Sequence, residues 1–96
     1  MIKVMLVDDH ELVRTGFRHI LTDIDNVEVA GEAETGEEAL ELIPQLKPNL
    51  VLMDINMPGI GGIEATRTIR RKYPEIQVIV ISVHSDSPFP AKLHEA

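Results

Sequence analysis

A chain of 96 residues has room for one domain, near the lower limit of what a single hydrophobic core stabilises. Only 3% of the residues are aromatic within a 44% apolar composition, so an aliphatic core is expected; the net charge of −7 argues against this segment gripping a nucleic-acid backbone, which needs a basic surface. With no cysteine there are neither disulfides nor thiolate metal sites, and no apolar run approaches the ~20 residues of a bilayer span, which together suit a soluble cytoplasmic domain.

Along the chain, Ile2 to Val7 is a short apolar run that reads as a strand and gives way at Asp8 and Asp9 to helical periodicity. In the first helix, expected to end near Ile24, Val13, Phe17, Ile20, Leu21 and Ile24 fall on one stripe, with Arg14, Arg18 and Asp23 turned away. Val27 to Ala30 reads as a second strand. Thr35-Gly-Glu-Glu38 has the spacing of a capping box before a helix carrying Ala39, Leu40, Ile43 and Leu46. Pro44 within that run predicts a kink or an early end, because it removes a backbone donor.

Leu50 to Met53 is continuously apolar, as in a strand covered on both faces, and runs straight into Asp54. After the break at Met57-Pro58-Gly59 and the loop through Gly61-Gly62, Ile63, Thr66 and Ile69 mark a third helix. It ends in Arg70-Arg71-Lys72, cations that suit a helix C-terminus. Val78 to Ile81 is a fourth strand ending at Ser82, and Pro88 and Pro90 lead into a few helix-like residues up to Ala96. Strands alternating with helices predict an α/β fold with a doubly wound parallel sheet.

In such a sheet the C-terminal strand ends share one edge, where ligands bind. That edge collects Asp8, Asp9, Asp54 and Ser82. Converging carboxylates repel one another unless a proton or a cation joins them, and Mg2+ is the natural partner, since it prefers hard oxygen ligands and often bridges carboxylates to a phosphate. The pattern points to phosphoryl chemistry, with Asp54 as nucleophile and the Ser82 hydroxyl as hydrogen-bond donor. His10 follows two aspartates but opens a helix and reads as solvent-facing. His19, His84 and His94 have no zinc-site spacing. Arg67, Arg70, Arg71 and Lys72 read as a solvated helix end, and the loop at Gly59 to Gly62 lacks the Lys-Ser/Thr pair of a phosphate-cradling motif.

Leu6-Val-Asp8-Asp9-His10, Leu52-Met-Asp54-Ile-Asn-Met57-Pro58-Gly59 and Val80-Ile-Ser82 resemble a two-component response-regulator receiver (CheY-like), and the match runs through essentially the whole chain. The stretch VDDHELVRTG from Val7 to Gly16 resembles the NarL/FixJ type, whose receivers drive a LuxR-like helix-turn-helix. With the Met57 to Thr66 and Ser87 to Lys92 stretches, the chain looks most like the GacA/UvrY/LetA group. The resemblance implies that Asp54 accepts phosphate from a sensor histidine kinase or its phosphotransfer domain, and that Asp9 ligates Mg2+ with Asp8 helping through water. It further implies a ligand from the backbone carbonyl of Asn56 and a Ser82 hydroxyl that turns toward the phosphoryl group.

A receiver of this kind has a flavodoxin-like strand order 2-1-3-4-5, with a lysine just after the fifth strand. This sequence stops before those elements, so residues 1–96 read as a C-terminally truncated receiver without the fifth strand, the fifth helix or the DNA-binding output domain. Lys92 falls in the fourth-helix region and is not assigned the lysine role. An open edge on the Val78 to Ile81 strand is then expected to drive self-association or domain swapping. Two other functions fit parts of the pattern. A magnesium-dependent aspartyl phosphatase also uses a strand-end aspartate, but typically wants a second acid where Asn56 stands; a binding module on a receiver fold would need no phosphorylation.

Overall fold

A computed structural model describes residues 1–55, 61–83 and 90–95. In chain order the elements are β1 (Ile2–Val7), α1 (Glu11–Thr22), β2 (Val27–Ala33), α2 (Gly36–Leu46), β3 (Leu50–Asp54), α3 (Gly61–Lys72), β4 (Gln77–Val83) and β5 (Pro90–Glu95). The sheet order is β2-β1-β3-β4-β5. β1 pairs in parallel with β2 and β3, and β3 with β4, so the expected doubly wound core is formed. No helix among the described residues is long and apolar enough to cross a membrane.

The fifth position differs from expectation. The helix-like segment after Pro90 is a strand, antiparallel to β4, with Ile81 opposite Leu93 and Ser82 opposite Lys92. A period of two explains it in part: Ala91 and Leu93 alternate with Lys92 and His94. The outer edge of β4 supplies the rest, because its backbone groups need partners and a proline at the first strand position forfeits little. Among the described residues no parallel fifth strand is formed, and β4 is not the open edge from which self-association was expected. Lys92 accordingly lies on a strand rather than in a fourth-helix region.

Two apolar clusters sandwich the sheet. Met5, Val7, Val51, Met53 and Val78 pack under α2 and α3, together with Ala39, Ile43, Ala65 and Ile69. Val4, Leu6, Leu52 and Ile81 point to the other face, where Phe17 and Leu21 of α1 lie against them. The alternation along β1 and β3 thus divides a continuous apolar run between two cores, as expected for strands covered on both sides.

Local chemistry sets the helix boundaries. The Thr35 hydroxyl accepts from the Glu38 N–H at 3.0 Å, and Glu38 reaches back to the Glu34 N–H at 2.7 Å, one residue before the position a capping box predicts. Pro44 does not end α2 early. Two more residues follow before Lys47 takes a left-handed conformation, φ 49°, and donates its N–H to the Ile43 carbonyl. In the last turn the missing donor costs one hydrogen bond at most. β2 runs three residues beyond the predicted Ala30, to Ala33.

The apolar stripe of α1 is rotated from its predicted position. Arg14, expected on the solvent side, is buried; Ile20 and Ile24, expected inside, are 61% and 47% exposed. Residues 14, 17 and 21 have helical spacing of their own, so the face that docks Phe17 and Leu21 carries Arg14 with it. On α3, Thr66 and Ile69 are buried as predicted, but Ile63 is largely exposed.

Candidate functional site

The candidate site lies at the C-terminal edge of β1 and β3. β1 delivers Asp8 and Asp9 into the turn before α1, and β3 ends on Asp54, opposite Ile81 of β4. Asp54 is 3% exposed and Asp8 7%, while Asp9 is open to solvent. One ligand atom from each of Asp8, Asp9, His10 and Asp54 lies within 4.8 Å of the others. Three predicted carboxylates therefore meet. Asn56 lies outside the described residues. Ser82 follows Ile81 on β4, so its backbone is one residue past the level of Asp54.

The loop holding these groups is tied on several sides. The Asp8 N–H donates to the Ala33 carbonyl at 3.0 Å, anchoring the strand end to β2. Its carboxylate oxygen Oδ1 accepts from the His10 N–H at 2.8 Å, a turn in which an aspartate replaces a backbone acceptor. His10 is the N-cap of α1, and the acidic residues before it stand at the positive end of the helix dipole.

His10 is part of the cluster rather than merely solvent-facing. Its Nδ1 lies 2.8 Å from Asp8 Oδ1 and 3.0 Å from Asp9 Oδ1. The hydrogen bond to Asp8, followed by the charge of Asp9, holds the imidazole pKa above its usual value, although the ring is mostly exposed. When protonated, it sets a cation against both carboxylates.

On the other side of the site, Gly62 of α3 comes against the backbone of Asp54. A Cβ at residue 62 would stand 2.1 Å from the Asp54 carbonyl oxygen and 2.7 Å from the Ile55 Cα. Only glycine permits that approach, so the first turn of α3 is seated on the residue that closes β3. Gly62, expected in the loop, stands instead in the first turn of α3.

The donor set suits a hard divalent cation. Three carboxylates offer oxygen ligands at one point, and a cation relieves their mutual repulsion.

The response regulator receiver domain model matches residues 4–96. The chain belongs to this family. It is 53% identical over all 96 residues to the response regulator GacA of Pseudomonas syringae pv. syringae and 51% identical to UvrY of Escherichia coli K12. It spans 45% of the length of the first and 44% of the second. Among solved structures, RcsB of Salmonella enterica serovar Typhimurium, bound to promoter rprA in the presence of phosphomimetic BeF3−, superposes with a TM-score of 0.81 at 30% identity. That match covers 90% of this chain and 72% of the RcsB chain. The chain is thus a receiver domain of two-component signalling, with GacA and UvrY as relatives, in agreement with the group its motifs resemble.

Proposed function

We propose that this domain is a phosphorylation switch that takes a phosphoryl group from the phosphohistidine of a sensor kinase, or of its phosphotransfer domain, onto Asp54. The observation that carries this reading is a nearly buried carboxylate at the end of a central strand, facing two more carboxylates at ligand distance. An Asp54 carboxylate oxygen attacks phosphorus, the phosphorus–nitrogen bond breaks, the imidazole leaves with a proton, and an acyl phosphate remains. Asp8, Asp9, Asp54 and the Asn56 carbonyl would hold Mg2+. Bound there, the cation offsets the charge of the phosphoryl oxygens.

The remaining residues act as a frame. The Ala33 and His10 contacts keep Asp8 in place, Gly62 lets α3 support the Asp54 backbone, and the Ser82 hydroxyl is proposed to bond the phosphoryl group and report its arrival. The domain is a phosphoacceptor more than an enzyme, and in a longer protein it would govern a DNA-binding output domain in the cytoplasm. The promoter complex of RcsB supports that output.

Intact mass after incubation with Mg2+ and acetyl phosphate tests the proposal. One added phosphoryl group is expected, absent in Asp54→Asn and absent without the cation. A folded sample that gains no phosphate, or that gains it equally in Asp54→Asn, would remove Asp54 from the role.

A further inference from the structure

Arg14 is the charged side chain that helical periodicity assigns to solvent and that the fold buries to 8% exposure. Its Nε donates to Glu32 Oε1 at 2.9 Å, its Nη1 donates to the main-chain carbonyl of Asp8, and its Nη2 lies 3.5 Å from Glu34 Oε1. Glu32 is held in turn by Arg18. Glu32 sits on β2 opposite Leu6, and Glu34 follows the end of that strand. One guanidinium therefore joins α1, the end of β1 and the end of β2.

Burying a guanidinium requires stripping its water, and a hydrophobic residue of similar volume would often serve a core at least as well. Stability alone therefore accounts poorly for an arginine here, and its geometry is more informative. The Asp8 carbonyl belongs to the peptide plane that joins Asp8 to Asp9. Gripping that oxygen, while Ala33 holds the Asp8 N–H, fixes the direction in which both carboxylates leave the strand end. Arg14 and Asp54 also line one void of about 10 Å³, at the lower limit for a single water, so little slack separates the clamp from the strand that carries Asp54.

We infer that Arg14 is a positioning residue for the carboxylate cluster. Anchored on Glu32, it orients the Asp8–Asp9 peptide so that both side chains meet Asp54 in a geometry ready for a divalent cation. The inference rests on the reading of the cluster as a Mg2+ site serving Asp54. It adds a supporting contact behind the ligands, of the kind whose loss weakens metal binding without touching the metal.

The test is calorimetric titration of Mg2+ into the chain, alongside the Mg2+ concentration that gives half-maximal phosphorylation by acetyl phosphate. Arg14→Met is expected to weaken Mg2+ binding about tenfold and to raise the half-saturating concentration by the same factor, with a smaller change in rate at saturating Mg2+. Arg14→Lys, which keeps the charge but loses the fork, should fall between it and the parent. Ile43→Val, destabilised in the opposite core, should bind Mg2+ like the parent. Unchanged Mg2+ affinity in folded Arg14→Met overturns the inference. If Arg14→Met does not fold, Glu32→Gln decides: it leaves the guanidinium and weakens its anchor, and parental affinity there overturns the inference equally. A parent chain that binds no Mg2+ would instead sink the cluster reading itself, a result separable from either variant's behaviour.

Discussion

On the face of the sheet beneath α2 and α3, Met5, Val7, Val51 and Met53 are sealed by two helices whose inward positions are Ala39, Ile43, Ala65 and Ile69. On the opposite face Val4, Leu6 and Leu52 have one described helix above them, and Phe17 and Leu21 stay partly open. The two faces also hold their helices to the site by different means. α3 rests on the Asp54 backbone through the missing side chain of Gly62, a steric fit; α1 is tethered to the Asp8 carbonyl through Arg14, a polar one. Apolar packing alone keeps a helix in place when the cover is deep. Under shallow cover, where sliding is resisted less, directional hydrogen bonds fix the register.

That contrast can be broken by mutation, and the deep face should respond most. Ile69→Ala, at a position with no exposure, should cost about 2–5 kcal/mol in urea unfolding, because the lost contacts leave a cavity between α3 and the sheet. A cost close to zero would mean that α3 can collapse onto the sheet, and the deep core would not be close-packed. Gly62→Ala should cost about 1–3 kcal/mol by forcing α3 off the Asp54 carbonyl. It should also slow phosphorylation more than its stability loss explains; unchanged kinetics in the folded variant would remove the link between that seat and the acceptor. On the shallow face, Ile20→Ser should change stability by no more than about 0.5 kcal/mol, since Ile20 is largely outside the core. A loss as large as that of Ile69→Ala would restore the predicted stripe and erase the difference between the faces.

Much of this architecture was legible in the order of residues. The apolar runs at Ile2 to Val7, Leu50 to Met53 and Val78 to Ile81 lie in β1, β3 and β4, because such runs are suited to strands buried on both faces. The Thr35 cap and the strand-end positions of Asp8, Asp9 and Asp54 followed from local spacing, and their convergence from the topology of a parallel sheet. Arg14 was missed because the width of the α1 stripe leaves its centre undetermined. Its spacing to Phe17 and Leu21, and the acids Glu32 and Glu34 near the end of β2, were the available signals. The residues from Pro90 onward form a strand rather than a helix; their period of two spans only a few residues, too short a signal to fix that state without the edge of β4 that they meet.

By itself, then, the sequence determined the strands and helices from β1 to β4 and which carboxylates gather at the sheet edge, since hydrophobic period and turn chemistry act over a few residues. Only the tertiary structure decided that Arg14 goes inside, that His10 joins the acids, that Gly62 seats α3 on Asp54 and that β5 closes the edge of β4. Arg14 needs Glu32 on β2, His10 comes near Asp54 only when β1 lies beside β3, Gly62 needs the end of β3 and β5 needs the edge of β4, contacts that exist only once the elements have packed.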